Sequence, residues 1–176
     1  MKKRIVLASE SKTRQSILRQ AGVEFDVKPA RIDEEAIIKS LLTDGATTND
    51  IVDALAEYKA LRVAGSNPDG LIIGSDQILV CEKKIYSKAQ NMEQAKTTLK
   101  ELRGKSHQLL SAAVIFEDGK PVWRTVSRAQ LFMRNYSDEY LDDYLEYCGS
   151  DILSSVGCYF LAVSYTHLRA HETHDD

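Results

Sequence analysis

Cysteine is scarce and scattered. Cys81, Cys148 and Cys158 are odd in number and form no CxxC pair. That excludes a disulfide framework and a cysteine zinc site, and fits small buried side chains in a reducing compartment. Long apolar runs are also missing. After Met1-Lys2-Lys3-Arg4 only Ile5-Val6-Leu7-Ala8 follows. Such a run is too short for a signal core and far too short to span a bilayer, so a cytoplasmic protein without a membrane partner is expected. Nor is there an excess of positive charge. The formal net charge is -3, which gives no general electrostatic reason to bind nucleic acid. Internal repeats, linkers and low-complexity blocks are absent.

What is present suits a globular protein. Apolar residues make up 43% and charged residues 28% of 176 positions, enough to bury a core in one domain or two small lobes. The patterning predicts a strand over 4–8, a helix over 12–20 stopped at Gly22, and an alternating strand over 23–27 ended by Pro29. Asp33-Glu34-Glu35 opens a helix through Leu42, with its acids at the positive end of the dipole. Asp50 is expected to cap a longer helix with Ile51, Val52, Leu55, Tyr58 and Leu61 on one face. A strand follows over 71–80, then a turn at 82–84 and a helix over 92–103 with Ala95, Leu99 and Leu102 inward. Strands over 108–116 and 122–125 flank the hairpin signal Glu117-Asp118-Gly119-Lys120. A further strand covers 129–133, and Ser137 caps a helix through Tyr147. Early αβ alternation followed by a hairpin points to an α/β fold, a mixed sheet flanked by helices.

The chemistry centres on Leu71-Ile72-Ile73-Gly74-Ser75-Asp76-Gln77-Ile78-Leu79-Val80, an apolar strand with one carboxylate at its middle. An ionised Asp in a buried strand is costly unless a cation, a metal or hydrogen-bond donors meet it. Asp76 can take a proton from an attacking water or hold Mg²⁺ against a polyphosphate; its structural alternative is an Asp bonded to turn amides. Ser75 and Gln77 alternate away from it and should point to the opposite face. Asp33 and Glu34 could add metal-binding oxygens, or simply complement the helix dipole. Ser9-Glu10-Ser11-Lys12-Thr13-Arg14 lies between a strand and a helix. Unpaired amides at the helix start, hydroxyls at Ser9, Ser11 and Thr13, and the cations Lys12 and Arg14 make a phosphate cradle, or else an ordinary capped turn. The Gly-rich spacing of a Walker loop is absent. Lys59 and Lys88 could each neutralise phosphate, or stand as solvated surface charges. His107, at a helix-to-strand junction, could touch a substrate, but is expected to cap or to face solvent. The tail over 162–176 holds His167, His171 and His174, spaced to share a helical face as metal ligands would, and is read instead as a non-native end.

Taken in order, Leu7-Ala8-Ser9-Glu10-Ser11-Lys12-Thr13-Arg14, Arg31-Ile32-Asp33-Glu34, Leu55-Ala56-Glu57-Tyr58-Lys59-Ala60, Gly74-Ser75-Asp76-Gln77, Ser87-Lys88, Gly104-Lys105-Ser106-His107 and Gly157-Cys158-Tyr159 resemble the Maf (septum formation) family of nucleoside triphosphate pyrophosphatases, in particular its alphaproteobacterial branch. The resemblance covers about residues 1–161, read as one domain. It implies an ITPase-like fold with two lobes around a cleft, often dimeric. It implies hydrolysis of a nucleoside triphosphate, possibly a non-standard, pyrimidine or methylated one, to monophosphate and diphosphate with Mg²⁺ or Mn²⁺. It places the catalytic acid on Asp76 and metal ligands on Glu34 and Asp76. Substrate-binding residues fall on Ser9, Ser11, Thr13, Arg14, Lys59, Gln77 and Lys88. Lys12 and Thr13 depart from the family's usual Pro and Arg, and Ala89 from the Pro after Lys88. The closing Gly-Leu-Pro motif is not found, so a nucleotide-binding module without turnover stands as the alternative.

Overall fold

The structure is a computed structural model that describes residues 3–160. The expected tail at 162–176 lies outside the described residues. Among the described residues six strands, β1 (Arg4–Leu7), β2 (Asp26–Val27), β3 (Gly70–Cys81), β4 (Lys84–Tyr86), β5 (Ser106–Glu117) and β6 (Lys120–Phe132), form a mixed sheet in the order β2-β1-β3-β5-β6, with β4 paired to β3. Five α-helices and a short 3-10 helix, Gly149–Ser154, complete the described residues. The described residues group into two compact units, 3–78 with 109–129 and 79–108 with 130–160.

The first unit starts with β1 (Arg4–Leu7), α1 (Lys12–Gln20) and β2 (Asp26–Val27). Next come α2 (Glu34–Thr43), α3 (Thr48–Ala64) and most of β3 (Gly70–Cys81). β1 runs parallel to both neighbours, with Val6 opposite Asp26 and Ile72, and Leu7 opposite Val27 and Ile73. The chain leaves β1 towards β2 through α1 and returns to β3 through α2 and α3. Right-handed crossovers in opposite directions put α1 and α3 on opposite faces, and the strand order reverses between β1 and β3. In open α/β sheets that reversal, at the carboxyl end of the strands, is where ligands bind. Val6, Leu7, Ile51, Val52, Leu55 and Ile72 are buried here. Each contributes about 1.5–3 kcal/mol from the area it removes from water.

Two expectations about α3 need correction. Its N-cap is Thr47, not Asp50. Asp50 is the other half of a capping box: the Thr47 hydroxyl accepts from Asp50 N–H, and Asp50 Oδ2 accepts from Thr47 N–H at 3.0 Å. The buried stripe also lies elsewhere. It follows Ile51, Val52, Leu55, Ala56, Lys59, Ala60 and Val63, while Tyr58 and Leu61 are exposed. Small Ala56 and Ala60 mark the side that approaches the sheet, and a reading weighted towards large apolar residues passes over them.

The second unit holds the end of β3, β4 (Lys84–Tyr86), α4 (Met92–Leu102) and α5 (Asp138–Cys148). Ala95, Leu99 and Leu102 face inward as expected and are buried, as are Leu141, Leu145 and Ile152. Cys81 and Cys158 are free and buried, and Cys148 is free and half-buried.

β5 (Ser106–Glu117) and β6 (Lys120–Phe132) are joined at Asp118-Gly119, both with positive φ, the two-residue turn that matches strand twist. β6 is one continuous strand where the sequence predicts two. It ends the sheet order and is exposed along almost its whole length. With no buried face it carries no alternation to read.

Candidate active site

At the end of β1 the Ala8 amide still reaches the sheet, donating to Ile73 O at 2.8 Å. The chain then turns at Ser9, whose buried hydroxyl oxygen accepts from Ser11 N–H at 3.3 Å. Ser11 caps α1, its Oγ accepting from Arg14 N–H at 3.4 Å. One helical turn in, Arg14 folds back on the strand ends. Its Nη1 donates to Ser9 Oγ at 3.0 Å and to Ser75 O at 2.8 Å. Its Nη2 lies 3.5 Å from Asp76 Oδ1.

Asp76 sits on the α3 side of β3, 5% exposed. Its Oδ1 accepts from Gln77 N–H at 2.8 Å and lies 3.1 Å from Lys59 Nζ. Lys59 is itself buried and reaches Glu34 Oε1 at 2.7 Å. Glu34 is the first residue of α2 and about half exposed, and Asp33 caps that helix by accepting from Ala36 N–H at 3.0 Å. A chain of alternating charge, Arg14–Asp76–Lys59–Glu34, thus runs from α1 to α2. Buried charges survive only when paired this closely. One atom is left over. Asp76 Oδ2 is buried and has no hydrogen-bond partner among the described residues.

Gly74 makes the pairing possible. A Cβ there would lie 2.1 Å from Ala56 O and 2.7 Å from Ala60 Cβ. Only a bare backbone lets α3 lie this close to β3, two residues before Asp76 and beside the turn that carries Lys59. A glycine inside a strand pattern was the signal available in the sequence. Nothing in the sequence marked the Ser75 carbonyl as an acceptor for Arg14.

The structure therefore brings together Ser9, Ser11, Arg14, Glu34, Lys59 and Asp76. It does not bring Gln77 to them. The Gln77 side chain is on the other face of β3 and donates from Nε2 to Ser111 Oγ at 2.8 Å, as strand alternation requires. Thr13 is exposed on the first turn of α1, and Lys88 is exposed after β4 in the second unit. His107 is neither a cap nor solvent-facing. It is buried in the second unit with Nε2 2.7 Å from Tyr159 Oη and the two rings edge to face. Burial holds the imidazole below its ordinary value and pushes the Tyr159 hydroxyl up to about 12. Among the described residues no three His, Cys, Asp or Glu side chains gather as a metal cage, and no helix is long and apolar enough to cross a membrane.

The family model described as Maf-like protein matches residues 4–167. This chain belongs to the Maf-like family. The nucleoside triphosphate pyrophosphatase 1 of Jannaschia sp. (strain CCS1) is 48% identical over 156 residues, 89% of this chain and 79% of that protein. The nucleoside triphosphate pyrophosphatase of Ruegeria sp. (strain TM1040) is 48% identical over 161 residues, 92% of this chain and 81% of that one. The 7-methyl-GTP pyrophosphatase of Brucella abortus biovar 1 is 42% identical over 156 residues, 89% of this chain and 78% of that one. Among solved structures, a HAM1 protein from Coxiella burnetii covers 77% of this Maf-like chain and 75% of its own, at 13% identity and a TM-score of 0.45.

Proposed function

We propose that this Maf-like protein hydrolyses a nucleoside triphosphate to the monophosphate and diphosphate, with Asp76 at the reacting centre. The carrying observation is the asymmetry of its carboxylate. Oδ1 is pinned by the Gln77 amide and Lys59, whereas Oδ2 is buried and unpartnered. An acceptor held rigidly on one oxygen and open on the other suits a base that takes a proton from water. That water oxygen bonds to the α-phosphorus, the bond from the α-phosphorus to the bridging oxygen breaks, and diphosphate leaves. Ser9, Ser11 and Arg14, at the start of α1, hold phosphate oxygens by hydroxyl, amide and guanidinium donors. Such transfer is mostly positioning and charge stabilisation, which a preorganised set of donors supplies.

The donor set also fits a divalent cation. Mg²⁺ is usually held by one or two carboxylates together with substrate phosphates. Asp76 with its unpartnered oxygen and the half-exposed Glu34 would hold Mg²⁺ or Mn²⁺, which when bound offsets phosphate charge. A carboxylate has about four lone-pair positions, so Asp76 has room for both tasks. The assembly and setting proposed with this reading, on the family resemblance, are a homodimer in the cytoplasm, checked by size-exclusion chromatography and fractionation.

The test is a nucleotide panel that includes 7-methyl-GTP, scored for diphosphate release with Mg²⁺ and Mn²⁺. Asp76→Asn is expected to lower release by about 10²–10⁴-fold, the usual worth of a positioned base. Undiminished release from every nucleotide would overturn the assignment, and nucleotide binding by the unaltered chain without release would favour a module that only binds.

A further inference from the structure

Two cavities in the first unit differ in their charge. One, of about 530 Å³, is lined by Lys3, Arg4, Phe25 and Asp26 among others. Its cations are already neutralised, Arg4 by Asp26 and Lys3 by Glu117 and Asp118. The other, of about 360 Å³, lies where the segment after β2 meets the last turn of α3. Lys28, Arg31 and Arg62 line it with Val27, Pro29 and Val63, and no Asp or Glu does. Lys28 donates to the neutral Asn67 side chain, Nζ to Oδ1 at 2.5 Å, and feels the Asp26 carboxylate at longer range without an ion pair to it. Arg31 and Arg62 have no hydrogen-bond or ion-pair partner among the described residues.

Three cations around one concavity repel one another, and an anion relieves that repulsion. In a chain of net charge -3, where Lys3, Arg4, Arg14, Lys59 and Arg124 of this unit all stand in ion pairs, the concentration is local. Two guanidiniums present forked donors that match the oxygens of a phosphoryl group, and Val27, Pro29 and Val63 give an apolar wall. We propose that this cavity is an oxyanion site for a small phosphorylated ligand, gripped by Arg31 and Arg62 with Lys28 behind them. It is separate from the Asp76 cluster, although both use the same two segments. Arg31 lies three residues before Glu34, and Arg62 three residues after Lys59.

Inorganic diphosphate is the probe, titrated calorimetrically into the full chain without divalent metal. An Arg14→Gln background removes the guanidinium of the Asp76 cluster and leaves Lys59, which is held between Asp76 and Glu34. Binding is expected to persist there, to weaken at least tenfold in Arg31→Gln/Arg62→Gln, and to survive in Arg31→Lys/Arg62→Lys. Circular dichroism and melting temperature check that each variant is folded. Replacing diphosphate by inorganic phosphate, and then by a nucleoside monophosphate, tells charge alone from charge with the apolar wall. No binding in the Arg14→Gln background, or binding indifferent to Arg31→Gln/Arg62→Gln, overturns the proposal.

Discussion

Lys59 Nζ stands 3.1 Å from Asp76 Oδ1, and both side chains are buried. The two reach each other from different elements, a helix and a strand. Each is the main reason the other tolerates burial.

Lys59→Met removes the ammonium and leaves Asp76 buried beside Arg14 alone. Breaking a buried pair from one side costs about 3–5 kcal/mol. Urea unfolding should show that loss, and a double replacement, Lys59→Met with Asp76→Leu, should recover much of it. A double variant no more stable than Lys59→Met would show that the ion pair matters less than the packing around it.

Arg14→Lys keeps the charge but not the geometry. One guanidinium now serves Ser9 Oγ, Ser75 O and the edge of Asp76. An ammonium cannot hold that fork. Loss of one charge-assisted hydrogen bond, about 1.5–3 kcal/mol, predicts a fall on the order of 10–100-fold in kcat/KM for diphosphate release. Wild-type kcat/KM would remove Arg14 from the site.

Gly74→Ala places a methyl 2.1 Å from a backbone carbonyl. The helix must shift, at a cost of about 1–3 kcal/mol, and Lys59 moves with it. Both melting temperature and turnover should drop. Adding Ala60→Gly should not rescue them, because the nearest atom is Ala56 O and backbone cannot be trimmed. A rescue would place the obstruction in the Ala60 side chain instead.

His107 sets a pH dependence of stability. Burial lowers its proton affinity in the folded chain below the ordinary imidazole value of about 6.5. The unfolded chain therefore takes up the proton first as pH falls. The contribution to stability is intact above about pH 6.5 and is lost as pH drops through that value towards the folded one. Comparing denaturation midpoints above and below that pH for wild type and His107→Gln isolates the effect. Equal pH slopes in the two proteins would exclude His107 as its source.

Much of this was readable beforehand where local chemistry decides. The α1 boundaries, the Ser137 cap and the inward side of α4 follow from caps and spacing that act within a few residues. Asp76 was conspicuous because a carboxylate in an apolar strand needs a partner. The partner's identity was not legible. Lys59 was placed in the site by the family resemblance, while its own residue type left phosphate neutralisation and surface charge both open; its pairing with Asp76 needs Gly74, Ala56 and Ala60 to draw α3 onto the sheet. Gln77 was set beside Asp76 by the family pattern, yet the two-residue period of a strand turns it to Ser111. His107 was misplaced for a similar reason: only Tyr159, fifty-two residues away, explains its burial.

The β6 edge has a practical consequence. Lys120, Arg124 and Arg128 recur every fourth residue along it, and Arg124 is shared by Asp53 and Glu57 of α3. Among the described residues no strand pairs with the outer side of β6; backbone open there, beside exposed Val122 and Trp123, would invite stacking with other copies in concentrated stocks, and regularly placed positive charge is the usual safeguard. Surface engineering that neutralises those three positions would trade colloidal solubility for a growing stack of sheets.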